Sequence, residues 1–323
     1  MTQLWEEKQV VEVVTFGEPM GLMAADEAKP LKDVEHFTRY VCGAEVNFSV
    51  GLSRLGHSVA YVSKVGQDPF GEHICDFLAQ NRIENGYVKV DREYLTGMQL
   101  KAKVEDGDPL VVNFRKNSAF SHFQPEELDD IDWSGVRHVH VTGISAALSV
   151  NCREAAAKLM DTAKAKGVRV SFDPNLRPAL WEDKQEMVRV INELAKRADI
   201  VLPGIGEGET LVGSRDPEAI ADFYLGQGSG AVVIKVGAKG AYVKTCAGET
   251  FESPGFRVDH VVDTVGAGDG FAVGTISALL EGHSLTEAVR RGTAIGAMAV
   301  MVAGDNEGLP TREQLDAFMN QNL

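Results

Sequence analysis

This chain of 323 residues lacks the features of several large classes of protein. It has no surplus of positive charge, because 32 Lys and Arg residues face 47 Asp and Glu residues and the formal net charge is −15. Nucleic-acid backbones are bound by clustered Lys and Arg, so we expect no nucleic-acid partner. No run without Asp, Glu, Lys or Arg reaches the ~20 residues of a membrane span. Residues 6–8 are charged with no apolar core behind them, so neither a membrane partner nor a signal peptide is expected.

Cysteine is scarce as well. The four cysteines are Cys42, Cys75, Cys152 and Cys246. None belongs to a CxxC pair or to a Cys/His pair with zinc-like spacing, so reduced thiols in a cytoplasmic protein are the simplest interpretation. The chain has no GxxxxGK[ST] segment either, which excludes an ordinary P-loop. The acidic composition does not exclude phosphate chemistry, because a local Arg, a row of amides or Mg²⁺ can bind an anion within an acidic surface.

What the chain does contain is a regular alternation of strands and helices, clearest after residue 136. Strands are predicted at residues 138–142, 168–173, 200–203 and 231–236, and helices at residues 153–166 and 184–198. This rhythm is typical of parallel βαβ units. It predicts an α/β fold with a doubly wound, mostly parallel sheet flanked by helices.

The N-terminal half interrupts that rhythm at two places. It contains a predicted first strand at residues 10–16, a strand at 58–65, and helices at 43–55 and 70–81, the last with Asp68 as its N-cap. Residues 96–115, however, alternate in type around an Asp-Gly-Asp turn, which predicts a hairpin with one face in water. We expect a single domain over residues 1–323 in which segments near 22–41 and 95–117 form a small β lid.

The strongest candidate for chemistry is the segment DTVGAGDGFAVG at residues 263–274. A glycine-rich turn that opens a helix lets the backbone approach a ligand, and the amides of Ala267, Gly268 and Asp269 would point at an anion. The Asp269 carboxylate could then take a proton from a nucleophilic hydroxyl. The alternatives are a structural turn and a dinucleotide fingerprint. The second needs an acidic residue on a strand about 20 residues later, where residues 290–292 are Arg-Arg-Gly in a helical pattern.

This segment resembles the C-terminal signature of the ribokinase-type (PfkB) carbohydrate kinases. The N-terminal signature of that family is similar to GAEVNFS at residues 43–49 and GQDPFG at residues 66–71, so the resemblance covers nearly the whole chain. It implies a ribokinase-like fold, a β lid over a sugar, and in-line transfer from ATP with Mg²⁺. It implies that Asp269 is the catalytic base. The remaining residues it assigns are an anion hole of Gly266, Ala267 and Gly268 and a substrate site that includes Gly43, Ala44, Glu45, Val46 and Asn47.

Further ligand residues are implied for the nucleotide. Arg177 follows a predicted parallel strand, at the sheet edge where ligands bind, and its planar fork suits carboxylate or phosphate, although Asp-Pro before it is also an ordinary turn signal. The resemblance implies that Arg177 contacts substrate and phosphate. It also implies that Glu207 organises Mg²⁺ through water. The nucleotide residues implied are Asn175, Gly204 (at a position where the family has Asn), Lys235, Gly237, Gly240 and Thr293. Dependence on a monovalent cation stays open.

The lid segment bears on the substrate. Gln99, Asn113, Phe114 and Arg115 resemble the stretch that 2-keto-3-deoxygluconate kinases of this family place around a sugar acid, with Arg115 facing the carboxylate. Leu22 replaces the Asp that ribokinases use to grip vicinal hydroxyls. We therefore expect ATP-dependent conversion of 2-keto-3-deoxygluconate to 2-keto-3-deoxy-6-phosphogluconate. The alternatives are a fructokinase, another sugar kinase of the family, or a non-catalytic sugar or nucleotide sensor. Exposed lid edges predict a homo-oligomer.

Overall fold

The computed structural model describes residues 10–104, 109–302 and 304–322. Within these ranges the strands are β1 (Val13–Phe16), β2 (Met20–Ala25), β3 (Phe37–Cys42), β4 (Val59–Gly66), β5 (Val88–Asp91), β6 (Met98–Lys101), β7 (Val111–Phe114), β8 (His138–Thr142), β9 (Arg169–Asp173), β10 (Ile200–Val201), β11 (Ala231–Lys235), β12 (Gly240–Thr245) and β13 (Thr250–Pro254). The helices are α1 (Ala44–Arg54), α2 (Pro69–Gln80), α3 (Ile144–Leu148), α4 (Val150–Ala165), α5 (Lys184–Ala195), α6 (Ile205–Val212), α7 (Pro217–Leu225), α8 (Ala267–Leu280), α9 (Leu285–Ala299) and α10 (Arg312–Gln321).

The main sheet has nine strands in the order β13-β12-β11-β10-β9-β8-β1-β4-β5. The strands from β11 to β5 run parallel, and β12 and β13 add an antiparallel edge. The central strands β1 and β8 are fully buried, as expected where helices cover both faces. The predicted α/β fold with a doubly wound, mostly parallel sheet is confirmed.

The sheet separates two hydrophobic cores. Along β1, Val14 and Phe16 point into the core under helices α4 to α7, whereas Val13 points into the core under α1, α2, α8 and α9. This alternation follows from the two-residue period of a strand. Each core-facing side chain of this size contributes roughly 1.5–3 kcal/mol when it is fully buried.

A second, four-stranded sheet has the order β3-β2-β6-β7. Its strands come from the two segments that the sequence separates from the βαβ rhythm, and β2 pairs in parallel with β6, with Leu22 opposite Gln99. Strands β3 and β7 form its edges through antiparallel pairing. Residues 105–108, at the predicted turn between β6 and β7, lie outside the described ranges.

Local signals account for several helix boundaries. The Asp68 carboxylate accepts hydrogen bonds from the amides of Phe70 (3.0 Å) and Gly71 (2.9 Å), which confirms the predicted N-cap of α2. Residues 290–292 lie inside α9, so no strand there carries the acidic residue of a dinucleotide fingerprint, and that alternative is wrong. Among the described helices, none is both long and apolar enough to cross a membrane.

Candidate active site

A cavity of about 660 Å³ lies between the four-stranded sheet and the loops that follow the parallel strands. Loops at the carboxyl ends of parallel strands are the usual ligand site of such sheets. The predicted site residues on the cavity wall are Gly43, Ala44, Glu45, Asn47, Gln99, Asn113, Arg115, Asn175, Arg177, Glu207, Lys235, Gly266, Gly268 and Asp269. The fold therefore brings together residues that are more than 200 positions apart in the chain, such as Gly43 and Asp269.

The amide loop, residues 266–268, forms the start of helix α8. Gly266 has φ +77°, and a Cβ atom there would lie 2.5 Å from the carbonyl oxygen of Asp305, so glycine is required on both counts. The first bond within the helix runs from the Gly270 amide to the Gly266 carbonyl (2.8 Å). The preceding amides have no acceptor within the helix, which makes this helix end an anion site.

Asp269 follows the amide loop directly. Asn47 Nδ2 donates to Asp269 Oδ2 (2.8 Å) and Asn175 Nδ2 lies 3.4 Å from Oδ1, so side chains from two other elements orient the carboxyl group. Burial raises the pKa of Asp269 to about 7, against the lowering effect of the Asn47 hydrogen bond. A carboxylate that titrates near neutral pH and lies beside an anion site is suited to general-base chemistry.

Lys235 provides a positive charge next to the amide loop. A Cβ atom on Gly268 would lie 3.6 Å from Lys235 Nζ, and the ammonium is ion-paired with Asp173 at 2.5 Å. Burial opposes the charged form of Lys235, but Asp173 and Glu207 outweigh it and raise the lysine pKa. Burial raises the pKa of Asp173, whereas the Lys235 ammonium lowers it. An ammonium and a row of amides thus converge on one point, as a phosphate requires.

Glu207 is fixed by two backbone amides. The amide of Leu176 donates to Oε1 (2.8 Å) and the amide of Gly204 to Oε2 (2.6 Å). Each oxygen keeps a second lone pair, and Mg²⁺ on a nucleotide uses only one or two carboxylates and retains several waters. Glu207 therefore fits Mg²⁺ that arrives with nucleotide phosphates, and Asp173 is a second carboxylate on the same wall. Over the described part of the chain, no three His, Cys, Asp or Glu side chains are placed to hold a metal ion by themselves.

At the opposite end of the cavity, Arg115 is buried and ion-paired with Glu18. Arg115 Nε donates to Glu18 Oε2 (2.6 Å), Nη2 contacts the same oxygen, and Ser118 Oγ donates to Glu18 Oε1. Glu18 therefore takes the Nε and Nη2 side of the guanidinium, and the other three of its five donors are the second on Nη2 and the two on Nη1. Glu18 is the residue that sequence reasoning missed as a partner of Arg115. The two residues are 97 positions apart, and no local signal in the sequence indicates the pairing.

Glu45 adds another buried acid on the same wall. Its Oε1 accepts a hydrogen bond from Thr142 Oγ1 (2.6 Å), and burial raises its pKa above the ordinary value. Gly17 provides the space for this carboxyl group, since a Cβ atom there would lie 2.2 Å from Glu45 Oε2. Glu45 is therefore held by Thr142 at the end of β8 and lines the cavity.

Some predicted site residues lie off the cavity wall. Val46 is fully buried in the core, the Phe114 side chain is 53% exposed, and Thr293 Oγ1 donates to the Arg290 carbonyl (2.8 Å) within α9. The others are Ala267, Gly204, Gly237 and Gly240, whose backbones belong to the amide loop, the start of α6 and the turn between β11 and β12. Ligand roles for these residues stay predictions. The wall also includes Asp173 and Asp305, for which the sequence predicted no ligand role.

Known proteins resemble this chain over almost its full length. Residues 11–312 match the pfkB family carbohydrate kinase model. The chain is 46% identical over 311 residues to 2-dehydro-3-deoxygluconokinase of Bacillus subtilis (strain 168), covering 96% of each protein. Among solved structures, a PfkB protein from Polaromonas sp. JS666 is 45% identical with a TM-score of 0.87, over 95% of this chain and 99% of that one. A putative ribokinase II from E. coli in complex with ATP and Mg²⁺ is 27% identical with the same TM-score of 0.87, over 96% of this chain and 99% of that one.

Proposed function

This chain belongs to the pfkB family of carbohydrate kinases, and we propose that it transfers the γ-phosphoryl group of ATP to the terminal hydroxyl of 2-keto-3-deoxygluconate. The product is 2-keto-3-deoxy-6-phosphogluconate (2-keto-3-deoxygluconate is another name for 2-dehydro-3-deoxygluconate). The observation that carries the kinase part is the position of Asp269 directly beside the amide loop and Lys235. The relative from Bacillus subtilis supports the sugar acid as substrate.

The reaction follows from this arrangement. Asp269 accepts the proton of the terminal hydroxyl while the hydroxyl oxygen forms a bond to the γ-phosphorus. The bond between the γ-phosphorus and the bridging oxygen breaks, and its electron pair leaves with ADP. The amides of the loop and the Lys235 ammonium stabilise charge on the phosphoryl oxygens during transfer. Mg²⁺ bound to the ATP phosphates supplies further charge stabilisation, and Asp173 and Glu207 are the residues that would hold it through water.

Preference for an acid over a neutral sugar is attributed to two guanidinium groups. Arg115 lines the cavity while Glu18 holds the Nε and Nη2 side of its guanidinium, and Arg177 is exposed on the same wall. Arg177 Nη1 donates to the Asn175 side chain (2.7 Å) and to nearby carbonyls, so it is already oriented without a ligand. A site that is built to pair a charged group rejects ligands without that charge, because its own buried groups are then left unpaired.

A non-catalytic sensor is the rival from another class. A protein that only binds sugar or nucleotide gains nothing from a carboxyl group with a pKa near 7 next to an anion site, because charge repulsion there weakens phosphate binding. The arrangement of Asp269 therefore favours an enzyme. A homo-oligomer formed through the lid edges is also proposed, since Tyr40 on β3 and Phe114 on β7 are exposed. The cytoplasmic location stays a prediction.

The test is a coupled ADP-release assay with Mg-ATP. The panel contains 2-keto-3-deoxygluconate, its galactonate epimer, gluconate, fructose, ribose and adenosine. We expect the highest kcat/KM for 2-keto-3-deoxygluconate. A higher kcat/KM for fructose or ribose than for every sugar acid would contradict the proposed substrate. Binding of several compounds without phosphorylation of any would favour the sensor.

Two variants test the acid preference. Arg115→Met should lower kcat/KM for the acid by the equivalent of ~2–5 kcal/mol in activation free energy. It should also leave Glu18 buried without its partner. The matched variant Arg115→Met with Glu18→Gln removes both charges, so it should recover thermal stability but not the acid preference. If Arg115→Met lowers kcat/KM equally for gluconate and fructose, Arg115 does not read the carboxylate.

A further inference from the structure

Lys101 lies on lid strand β6, two residues after Gln99. Residues two apart on a strand share a face, and Gln99 lines the candidate active site while Lys101 continues along the same face. Lys101 Nζ lies 2.7 Å from Asp263 Oδ2 and 3.8 Å from Asp305 Oδ1. The side chains are only 11%, 13% and 10% exposed, respectively, so a single ammonium serves two largely buried carboxylates.

Both carboxylates belong to segments that shape the amide loop. Asp263 precedes Gly266 by three residues, and its Oδ1 accepts a hydrogen bond from the Val265 amide (3.1 Å). The carbonyl oxygen of Asp305 occupies the space beside Gly266, where a Cβ atom would be only 2.5 Å away. Movement of either segment would therefore move the amides of the loop.

The two supports of the loop come from different parts of the molecule. Arg54 on α1 donates through Nη1 to the carbonyls of Asn306 and Leu309, at 2.7 Å each, which fixes the segment after Asp305 to the main sheet layer. The support from the lid has two contacts: Asn306 Nδ2 donates to the Val41 carbonyl on β3 (3.1 Å), and the Lys101 ammonium pairs with Asp263 and Asp305. The ammonium is the charged one of the two. Without it, Asp263, Asp305 and the nearby Glu307 would repel one another, and burial already raises the pKa of Asp305 to about 6.

We propose that Lys101 is a positioning residue for phosphoryl transfer: its ammonium holds Asp263 and Asp305 together beside the amide loop and so ties the geometry of that loop to the lid. The inference rests on the kinase function proposed above and assigns a role in it to a residue outside the active-site cavity. A shift of about 1 Å in groups that position a reacting phosphoryl costs up to ~10²-fold in rate.

A second cavity makes this arrangement accessible to small cations. It has a volume of about 680 Å³, and its wall includes Asp263 and Asp305 together with the lid residues Lys101, Leu22 and Tyr40. Truncation of Lys101 would leave two carboxylates facing this space. Methylammonium is small enough to enter and carries the charge that the truncated side chain has lost.

The experiment compares four variants in the ADP-release assay with 2-keto-3-deoxygluconate. Lys101→Met keeps the stem without the charge, Lys101→Arg keeps the charge, and Lys101→Ala creates space for an added cation. The matched control is Lys103→Met, two residues further along, because within the described ranges Lys103 Nζ donates to the exposed carbonyl of Asp26 (3.2 Å) and to no carboxylate. Melting temperatures are recorded for every variant.

We expect kcat to fall ~10- to 100-fold in Lys101→Met and Lys101→Ala, with a much smaller change in KM for the sugar acid. Lys101→Arg should keep most of the activity, and Lys103→Met should match the wild type. Methylammonium chloride should restore part of kcat in Lys101→Ala, whereas tetramethylammonium chloride at the same ionic strength should not.

Wild-type kcat in Lys101→Met would overturn the inference. Equal losses of kcat in Lys101→Met and Lys101→Arg, in proportion to the fall in their melting temperatures, would also overturn it, since the role of Lys101 would then be structural only. A wild-type protein that transfers nothing to the sugar acid would contradict the proposed function instead. In that case calorimetric titration with Mg-AMPPNP decides, because binding at the amide loop needs no acceptor: weaker binding in Lys101→Met than in Lys103→Met supports the inference, and equal binding overturns it.

Discussion

Replacing Asp269 by asparagine removes a carboxylate while it keeps the shape of the side chain. The Asn47 amide, 2.8 Å from Oδ2, can still donate to the new carbonyl oxygen, and the amide loop is untouched. ATP affinity should therefore stay near the wild-type value. Turnover should fall ~10²–10⁴-fold, because this is the typical cost of losing a general base. Steady-state kinetics beside ATP titration calorimetry measure both quantities.

The pH dependence follows from the raised pKa of Asp269, about 7. Only the deprotonated carboxylate accepts a proton, so wild-type kcat/KM should fall as the pH drops through about 7. The residual activity of Asp269→Asn should lack this step. A variant that retains more than about half of wild-type kcat, or the same pH step in both proteins, would refute the base assignment.

The same carboxyl group has a measurable effect on stability. Its pKa is 3.8 in an unfolded chain and about 7 in the fold, so the folded state binds the proton more tightly. The ionised group therefore destabilises the fold, by an amount that grows from about pH 4 to pH 7 and is at most ~4 kcal/mol above that. Asp269→Asn should melt at a higher temperature than the wild type at pH 8, and the difference should shrink at pH 5. A difference that does not change with pH would contradict the raised pKa.

Two further substitutions probe the phosphate end of the site. Gly268→Val should leave a folded protein with little turnover, because the added carbon faces open space 3.6 Å from Lys235 Nζ, where the phosphoryl group binds. Gly266→Val should instead lower the melting temperature by the equivalent of ~1–3 kcal/mol, because φ is +77° and the Asp305 carbonyl blocks the Cβ position. Circular dichroism melts and ADP release separate the two effects. A fully active Gly268→Val variant would contradict the assignment of the anion site. Lys235→Met should raise KM for ATP and lower stability, since it leaves Asp173 buried without its ammonium. The double variant Lys235→Met with Asp173→Asn should recover the stability of the wild type but not its KM for ATP. Recovery of both quantities would assign Lys235 a structural role only.

Much of the fold could be predicted from the sequence because its signals are local. Strand β8 has the predicted bounds, residues 138–142, since its valines belong to the regular alternation of strands and helices in this half of the chain. The start of α2 follows from Asp68, and the start of α8 from the glycine-rich turn. These signals come from residues adjacent in the chain, so no knowledge of the tertiary structure is needed to interpret them.

The electrostatic partners could not be predicted in the same way. Glu18 and Arg115 are 97 residues apart, and Lys101 and Asp263 are 162 apart. Which of many charged residues pair depends on how the lid meets the main sheet, and this is a property of the tertiary packing. The sequence predicted Arg115 as a ligand residue, but only the structure shows that half of its guanidinium is already bound.

The most direct measurement for the whole account is ³¹P NMR of the reaction mixture after Mg-ATP and 2-keto-3-deoxygluconate have been incubated with the protein. We expect a new phosphomonoester signal that is split into a triplet by two protons, because the terminal carbon that carries the accepting hydroxyl is a CH₂ group. The signal should be absent when Asp269→Asn is used at the same concentration and time. A doublet would place the phosphoryl group on a secondary hydroxyl, and inorganic phosphate alone would mean that water is the acceptor; either result would contradict transfer to the terminal hydroxyl.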